Sequence, residues 1–496
     1  MVLPSEVQQH YGRLKHYIDG QWVDSKSSNV IPVTNPARDE VIAELPSATK
    51  AEIDMAVDAA QRGFEKWRNV PLRDRARLMW DLRGKFDEHF EATSRVLTQD
   101  HGRTIGESRG SVRRVIENIE SACSSMYSLT KGEQINELAT GIDESLVWEP
   151  LGIFLIITPG NIPMHSWSSF VPYALACGCS VIVSPSPQAP VSTDWISKVT
   201  EEVGFPPGVY NLIHQGGEGR EINRTILSHP KVKGVAFIGS TRVGKELFRL
   251  AGELGKRTSI NGNGKNHIVI MPDADLDTVA GYLMRGCYGM TGQRCLGTDN
   301  VIIVGDVYEE VKNRFVEASS KMKLGYGLDE ETELGPMTTE QGRQKVIDWV
   351  DTGLKEGAKI ILERRNEKVK DYLKGYFFGP TILGDVSPDM TIAKEEAFGP
   401  VANLIRARSL DEAIEWINTK TNLGHSACIL TSSGKDARKF TCEVNVGNIG
   451  INLGIPQPYA FFPMASRRDS FFGAAHSRMD SVRLFLDQKT ITSRWV

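Results

Sequence analysis

The sequence predicts an α/β protein whose parallel sheets are arranged in two domains. Short apolar runs typical of buried strands alternate with longer segments in which apolar residues recur every three or four positions. This alternation starts near residue 152 and is repeated more loosely after residue 260. A chain of 496 residues is long enough for two or three domains with sizeable cores.

The individual elements follow from local patterns. Short alternating runs between residues 17 and 45, broken by Asp-Gly and Asn-Pro turns, predict strands. Helical spacing of apolar residues predicts helices over 50–67, 72–100, 104–128, 166–176, 245–252, 308–323 and 410–419. Buried strands are predicted over 152–158, 180–184 and 231–239, and at the later runs IVIM, NVIIVG, ANLIRA and SACILT.

Composition excludes several classes of function. The net charge is −4 and charged residues make up 24% without a block of one sign, which argues against a nucleic-acid-binding protein. No stretch is long and apolar enough to span a bilayer, and the first twenty residues lack the apolar core of a signal peptide. The seven cysteines form an odd set without paired metal-binding spacing. We therefore expect a cytoplasmic protein without a metal site.

A candidate nucleophile lies in the segment Met-Thr-Gly-Gln-Arg-Cys-Leu at residues 290–296. Cys295 follows a glycine-containing turn and adjoins Arg294, and a neighbouring guanidinium favours the reactive thiolate. A lone cysteine in such a chain is otherwise an inert buried thiol. Further motifs decide between the two interpretations.

A candidate cofactor loop runs from Phe237 to Gly244, after a predicted strand and before a predicted helix. Gly239 allows a tight turn, Gly244 permits close packing of helix on sheet, and the Ser240 hydroxyl lies at the helix N-terminus. Such an arrangement can hold a pyrophosphate. The alternative is a glycine-rich turn in which a serine caps the helix.

Five ordered motifs make the chain resemble the aldehyde dehydrogenase superfamily. They are IITPGNIP (156–163), FIGSTRVG (237–244), NGNGKNH (261–267), GQRC (292–295) and KEEAFGPV (394–401). The resemblance covers essentially the whole chain. GKNHIVIMPDAD, the arginine before the cysteine and the C-terminal QKTITSRW are similar to one branch, the CoA-acylating malonate/methylmalonate semialdehyde dehydrogenases.

The resemblance implies an aldehyde dehydrogenase-like fold of two Rossmann-like domains and a small β arm. Residues 1–131 and 149–260 would form the cofactor-binding domain, and residues 261–470 the catalytic domain. Residues 132–148 and 480–496 would form an oligomerisation arm, so a homo-oligomer, dimers pairing into tetramers, is expected.

The resemblance also implies the roles of individual residues. Cys295 would attack an aldehyde carbonyl, and the Asn161 amide with the Cys295 backbone N–H would hold the oxyanion. Arg114 and Arg294 would clamp the carboxylate of the substrate. The implied contacts to NAD are Thr158, Pro159, Ser184, Ser186, Gly239, Ser240, Gly244, Asn261, Glu396 and Phe398.

Some positions depart from the superfamily pattern. Asn261 replaces the glutamate that activates water in hydrolytic members, which favours CoA as the acyl acceptor because a thiol needs less activation. The second interpretation is that another base, such as His165, stands in. Ser184-Pro-Ser-Pro replaces Lys-Pro-Ser-Glu and leaves NADP open as well as NAD, with Arg242 a partner for its 2′-phosphate.

The predicted substrate pocket departs as well. Ser166 and Ser169 stand where larger residues are usual, and Gly160 replaces an aromatic residue. These two serines are therefore expected to line a roomier, more polar pocket. A hydroxylated or otherwise polar acidic aldehyde becomes an alternative substrate.

Three functional hypotheses remain at this point. The first is an NAD(P)-dependent, CoA-acylating semialdehyde dehydrogenase. The second is a non-acylating NAD(P)-dependent dehydrogenase of another polar aldehyde, hydroxylated, sugar-derived or sulfonated, and CoA dependence separates these two. The third is a binding protein without catalysis, against which the presence of Cys295, Asn161 and Glu396 together argues.

Overall fold

The structure, a computed structural model, describes residues 5–495. Residues 1–4 and Val496, which belong to the predicted cofactor domain and arm, lie outside the described residues. The alternation of strands and helices confirms the predicted α/β class. No helix of the described part of the chain is long and apolar enough to cross a membrane.

The elements are numbered in chain order. The strands are β1 (His16–Ile18), β2 (Gln21–Val23), β3 (Val30–Asn35), β4 (Glu40–Pro46), β5 (Glu133–Ala139), β6 (Ile142–Pro150), β7 (Ile153–Thr158), β8 (Ser180–Pro185), β9 (Tyr210–Leu212), β10 (Val232–Ile238), β11 (Arg257–Asn261), β12 (Asn266–Ile270), β13 (Thr298–Val304), β14 (Lys359–Glu363), β15 (Thr381–Gly384), β16 (Val401–Ala407), β17 (Leu423–Gly424), β18 (Ser426–Leu430), β19 (Asn448–Ile451), β20 (Arg467–Arg468), β21 (Phe471–Gly473) and β22 (Leu486–Arg494). The α-helices are α1 (Lys50–Trp67), α2 (Leu72–Glu88), α3 (Phe90–His101), α4 (Ile105–Leu129), α5 (Pro163–Ser168), α6 (Val171–Cys177), α7 (Pro190–Glu201), α8 (Gly219–Ser228), α9 (Thr241–Glu253), α10 (Leu276–Leu283), α11 (Tyr308–Lys321), α12 (Glu340–Lys355), α13 (Thr391–Lys394), α14 (Leu410–Thr419), α15 (Gly434–Glu443) and α16 (Val482–Phe485).

Two large sheets organise the molecule. The first has the order β2-β1-β9-β8-β7-β10-β11-β21, and its central strands β9, β8, β7, β10 and β11 are parallel. The second has the order β14-β15-β16-β13-β12-β18-β19 and is parallel from β15 to β19. The sheets separate between Asn261, which ends β11, and Asn266, which starts β12. The predicted domain boundary at 260/261 stays a prediction.

The strand order of the first sheet creates a crevice for a ligand. The chain runs outward from β7 through β8 to β9 and then returns to the other side of β7 with β10. In open α/β sheets, ligands bind beyond the carboxyl ends of the strands where the order reverses. Thr158 ends β7 and Ile238 ends β10, so the segments around residues 159 and 239 flank this point.

A third, small sheet has the order β22-β6-β5. It joins residues 133–150 to the C-terminal strand through nine aligned pairs of β22 and β6. Every residue of β5 is exposed and every residue of β6 is only half-buried, so this sheet packs little against the rest of the chain.

Two predicted helices are each divided in the structure. The helix predicted over 72–100 breaks at His89 into α2 and α3, and the one predicted over 166–176 breaks near Phe170 into α5 and α6. Both chain segments bury apolar residues on each side of the break. The helical spacing of apolar residues continues across each break, so the sequence pattern alone did not reveal where the helix is divided.

Candidate active site

Cys295 lies where two cavities meet. One, which we call the arginine cavity, has a volume of about 270 Å³ and is lined by Glu107, Gly110, Ser111, Arg114, Ile162, His165, Met290, Arg294, Cys295, Leu296, Ile455, Gln457 and Met464. The other, the central cavity, has a volume of about 460 Å³, and its walls include Asn161, Asn263, Cys295, Glu396 and Phe398. The thiol is therefore accessible from both sides.

The backbone before Cys295 adopts a strained turn. Met290, Thr291 and Gly292 all have positive φ angles, of 55°, 57° and 68°. A Cβ on Gly292 would lie 2.0 Å from the carbonyl oxygen of Gly399, so this position requires glycine. Strain of this kind persists only where the surroundings hold it, and it is concentrated at functional sites.

Asn266 holds the loop that carries Cys295 through hydrogen bonds to its backbone. Its side-chain nitrogen donates hydrogen bonds to the carbonyl oxygens of Cys295, at 2.8 Å, and Gly297, at 2.7 Å. Its side-chain oxygen accepts from the backbone N–H of Ser426. Sequence analysis assigned no role to Asn266, although it lies in the quoted motif NGNGKNH.

Asn161 is brought to the central cavity by the loop after β7. Its side-chain nitrogen donates one hydrogen bond to the carbonyl oxygen of Gln293, at 3.0 Å. An amide NH₂ has two protons, so a second donor remains for a ligand. The Arg103 guanidinium donates to the Asn161 carbonyl oxygen and fixes the backbone of this loop.

The surroundings of Cys295 favour the neutral thiol over the thiolate, contrary to the expectation from the neighbouring arginine. Burial raises the pKa of Cys295 to about 12, and the negative charge of Glu396 contributes to the increase. Arg294 lowers the pKa, as predicted, but its effect is smaller than that of burial. Arg294 is itself enclosed, and its Nε donates to the sulfur of Met290 at 3.0 Å.

This pKa predicts the pH dependence of Cys295 alkylation. Because the pKa of about 12 lies above the assay range, the thiolate fraction should rise about tenfold per pH unit between pH 6 and 10. The increase should be less steep near pH 8, where Glu396 ionises and adds a negative charge. Iodoacetamide labelling of Cys295, followed by mass spectrometry, measures this. The Glu396→Gln variant should lose the shallow region, and a rate plateau below pH 8 would contradict the prediction.

Glu396 is held by Asn263, which also contacts the cofactor loop. The Asn263 amide nitrogen donates to one carboxylate oxygen of Glu396, and the backbone N–H of Gly264 donates to the other at 3.2 Å. The Asn263 side-chain oxygen accepts from the backbone N–H of Thr241, the first residue of α9, at 2.7 Å. Burial, together with the Asp299 carboxylate, raises the pKa of Glu396 to about 8.

A third cavity, the helix cavity, extends from the N-terminus of α9. It has a volume of about 500 Å³, and the residues that line both it and the central cavity are Pro159, Gly160, Gln188, Ile238, Gly239 and Ser240. Ser240 caps α9 by accepting a hydrogen bond from the Val243 backbone N–H at 3.4 Å. Because it also lines the cavity, Ser240 fits both the cofactor-loop and the helix-cap interpretation of the sequence. Gly244 does not line the cavity, but a Cβ there would lie 2.8 Å from Ile260 of the sheet.

The other predicted cofactor contacts divide into two groups. Thr158 and Ser186 line the helix cavity, and Phe398 lines the central cavity. Ser184 and Asn261 line neither. The Asn261 side chain instead accepts a hydrogen bond from Ser466 at 3.5 Å.

The structure brings both predicted arginines, but not the predicted serines, to the arginine cavity. Arg114 and Arg294 line it, and Arg114 lies 4.9 Å above the ring of Tyr459. Ser166 and Ser169 are fully buried and do not line the cavity. The Ser169 hydroxyl donates to the backbone carbonyl oxygen of His165, one helical turn earlier, at 2.9 Å.

His165 is unsuited to act as a substitute base. It lines the arginine cavity, but its Nε2 accepts a hydrogen bond from the Arg478 guanidinium at 3.1 Å. Burial and the positive charge of Arg478 place the pKa of His165 well below its usual range. The lone pair needed to take a proton is therefore engaged.

Comparison with known proteins agrees with this site. The model of the aldehyde dehydrogenase family matches residues 22–491. Malonate-semialdehyde dehydrogenase 2 of Geobacillus kaustophilus (strain HTA426) is 38% identical over 484 residues, which cover 97% of this chain and 99% of the relative. The crystal structure of methylmalonate-semialdehyde dehydrogenase from Oceanimonas doudoroffii superposes with a TM-score of 0.94 at 33% identity, covering 98% of this chain and 99% of that chain.

A more distant structure matches as well. Betaine aldehyde dehydrogenase from Staphylococcus aureus, crystallised with NAD⁺, has a TM-score of 0.92 at 28% identity and covers 97% of this chain and 94% of that chain. These matches confirm the resemblance and the predicted aldehyde dehydrogenase-like fold. The chain belongs to the aldehyde dehydrogenase family and is an oxidoreductase that acts on aldehydes.

Proposed function

We propose that this enzyme oxidises malonate or methylmalonate semialdehyde with NAD and passes the acyl group from Cys295 to CoA. The observation that carries the proposal is the position of Cys295, at the junction between a cavity lined by two arginines and a cavity that continues to the cofactor loop. An acidic aldehyde in the first cavity would present its carbonyl carbon to the thiol. The names of the relatives support the same substrate class.

The helix and central cavities fit a nicotinamide dinucleotide. They share a wall at Gly239 and Ser240, where the N-terminus of α9 favours a pyrophosphate. Thr158 and Asn223 line the helix cavity, and each holds a buried side-chain oxygen that has no hydrogen-bond partner within residues 5–495. When bound there, NAD supplies the hydride acceptor. The complex of the Staphylococcus aureus relative with NAD⁺ supports this assignment.

The NAD⁺ complex of the Staphylococcus aureus relative supports NAD as the cofactor. Arg242, the partner suggested for a 2′-phosphate, forms an ion pair with Glu246 at 3.7 Å, and Arg220 contacts the same carboxylate at 3.0 Å. Arg220, Arg224, Arg242 and Glu246 all line the helix cavity, so the charge of its wall does not select against a 2′-phosphate.

The residues of the central cavity would carry out the first chemical step. The Cys295 thiolate attacks the aldehyde carbon, and the carbonyl oxygen becomes an oxyanion. The free N–H of the Asn161 side chain and the backbone N–H of Cys295 would stabilise this charge. Hydride loss then leaves a thioester on Cys295. Arg114 and Arg294 would hold the distant carboxylate, and their planar guanidinium groups suit bidentate binding.

The fate of the thioester depends on the absence of a base at position 261. The Asn261 amide takes no proton at neutral pH, and its side chain points toward Ser466. The acceptor nitrogen of His165 is occupied by Arg478. Water would therefore attack slowly. A thiol such as that of CoA ionises near about pH 8.5 and is intrinsically nucleophilic, so it needs less activation than water, which supports CoA as the acceptor.

CoA dependence tests the proposal. The malonyl thioester on Cys295 would lose its carboxylate as CO₂ before or during transfer to CoA. With malonate semialdehyde and NAD, we therefore expect steady formation of NADH, CO₂ and acetyl-CoA, the last identified by mass spectrometry, only when CoA is present. In the Asn261→Glu variant, the rate of NADH formation without CoA should be at least about tenfold higher than in the wild type, because a carboxylate can activate water. Asn261→Gln is the matched control and should show no gain. Rapid turnover of the wild type without CoA would reject the acylating assignment.

We also propose that the enzyme is a homo-oligomer assembled through the sheet β22-β6-β5. Large apolar side chains of this sheet are exposed in the single chain, namely Ile135, Leu138, Ile491 and Trp495. Exposed edges and faces of this kind are liabilities unless covered. Multi-angle light scattering should give two or four times the subunit mass of 54.9 kDa. A single-subunit mass would refute the proposal.

A cytoplasmic location is part of the same proposal. All seven cysteines are free, and six of them are buried or partly buried. This distribution suits a reducing compartment, in which disulfides do not form.

A further inference from the structure

His165 is a polar residue of the arginine cavity to which the reaction described above gives no role. His165 is more than nine-tenths buried, yet its imidazole forms part of the cavity wall together with Arg114 and Arg294. Arg478 lies behind it and is completely buried. The Arg478 guanidinium donates to Nε2 of His165 at 3.1 Å and to the carbonyl oxygen of Tyr459 at 3.1 Å.

This contact determines which nitrogen of His165 carries the proton. A guanidinium has only donors, so Nε2 must accept and must be unprotonated. A neutral imidazole carries its proton on the other nitrogen, Nδ1. Nδ1 has no hydrogen-bond partner among residues 5–495, so its N–H is available to a ligand in the cavity.

The charges around the cavity favour an anion. Its lining contains two cations, Arg114 and Arg294, and one anion, Glu107. The Glu107 carboxylate is already engaged by the backbone N–H groups of Thr104 and Met290.

The charged groups just behind the cavity wall also comprise two cations and one anion. Arg103 and Arg478 are buried there, while Glu117 pairs with Arg114. The local charge is therefore positive.

Three side chains with donor groups, Arg114, Arg294 and His165, line this cavity. A carboxylate presents its two oxygens in one plane, and guanidinium groups bind it bidentately in that plane. A sulfonate or a phosphonate has three oxygens in a tetrahedral arrangement, and the third would accept from Nδ1 of His165. We propose that His165 is an anion-binding residue, and that the arginine cavity takes aldehydes with a three-oxygen acidic head group in preference to carboxylate aldehydes.

The inference rests on the proposed function and keeps the oxidation and the acyl transfer at Cys295. The aldehyde carbon bonds to the Cys295 sulfur, loses one hydride to the nicotinamide and, as an acyl group, is transferred to the CoA sulfur. The thiol proton is released to solvent. A sulfonate or phosphonate has no CO₂ to lose, so the head group stays on the acyl-CoA product.

Calorimetric titration of the corresponding alcohols tests the inference without turnover. 3-Hydroxypropionate, isethionate and 2-hydroxyethylphosphonate have the same chain length and differ in the head group. At least one three-oxygen ligand should bind the wild type at least about fivefold more tightly than 3-hydroxypropionate. Tighter binding of isethionate would identify the sulfonate as the preferred head group, and tighter binding of the phosphonate would identify the dianion.

Variants of His165 separate a direct contact from a structural effect. His165→Leu should weaken binding of the preferred three-oxygen ligand about tenfold or more, as expected for a lost hydrogen bond to an anion. The same substitution should weaken binding of 3-hydroxypropionate less than about threefold. His165→Asn retains a donor and should recover part of the loss. His89→Leu, a substitution on the surface, is the control and should leave all three affinities unchanged.

The outcomes distinguish this inference from the proposed function. Equal wild-type affinities for all three ligands, or equal losses in His165→Leu, would overturn the inference even if malonate semialdehyde is oxidised in a CoA-dependent reaction. If the predicted order of affinities is found but that reaction is absent, the proposed substrate is wrong and the anion site stands.

Discussion

Replacing Cys295 with alanine is expected to lower kcat by at least about 10⁴-fold, because the variant has no nucleophile to form the thiohemiacetal and thioester. Aldehyde binding should change little, since Arg114 and Arg294 remain. The measurement is NADH formation in single and multiple turnovers. A trace of wild-type enzyme would mimic residual activity, so titration with iodoacetamide should accompany the assay.

Cys442→Ala is the matched control for this experiment. Cys442 is the exposed cysteine of the chain and lines none of the three cavities, so its removal should leave kcat within about twofold of the wild type. If Cys295→Ala retains more than about 1% of wild-type activity, Cys295 is not the nucleophile. The binding-protein hypothesis would regain support only if Cys295→Ala left the biological role of the protein unchanged.

Replacing Asn161 with alanine is expected to reduce kcat by about 10²- to 10³-fold. This is the usual cost of removing one oxyanion donor. The effect should fall on kcat more than on KM, because the charge develops only in the transition state. Steady-state kinetics with the acidic aldehyde measures both parameters.

The Asn161 side chain also bonds to Gln293, so a displaced loop is the competing explanation for lost activity. The alkylation rate of Cys295 distinguishes the two. Loss of the oxyanion donor alone should leave the rate of reaction with iodoacetamide within about threefold of the wild type. A parallel fall in alkylation and kcat would show that Asn161 acts by holding the loop in place.

Much of the site could be predicted from local sequence. Cys295, Asn161, Arg114, Arg294 and Glu396 all line the two cavities that meet at the thiol. Except for Arg114, which lies within α4, each belongs to a short motif that follows a strand or a tight turn. Residues in such positions are placed by the backbone within a few residues, so their neighbourhood is visible in the sequence.

The supporting contacts were not predictable in this way. Asn263 connects the first turn of α9 to Glu396, which lies 133 residues later in the chain. Arg478 lies 313 residues after His165 and determines its proton position. Pairs this far apart leave no periodic pattern, because their proximity depends on the packing of separate elements.

The sequence by itself determined the α/β class, the order of the motifs and the identity of the reactive groups. Tertiary structure decided what those groups do. It gave the Cys295 thiol a pKa of about 12 despite the adjacent arginine, and it turned Ser166 and Ser169 away from the cavity. The physical reason is that reactivity and exposure depend on burial and on charges from distant segments, which neighbouring residues in the sequence do not specify.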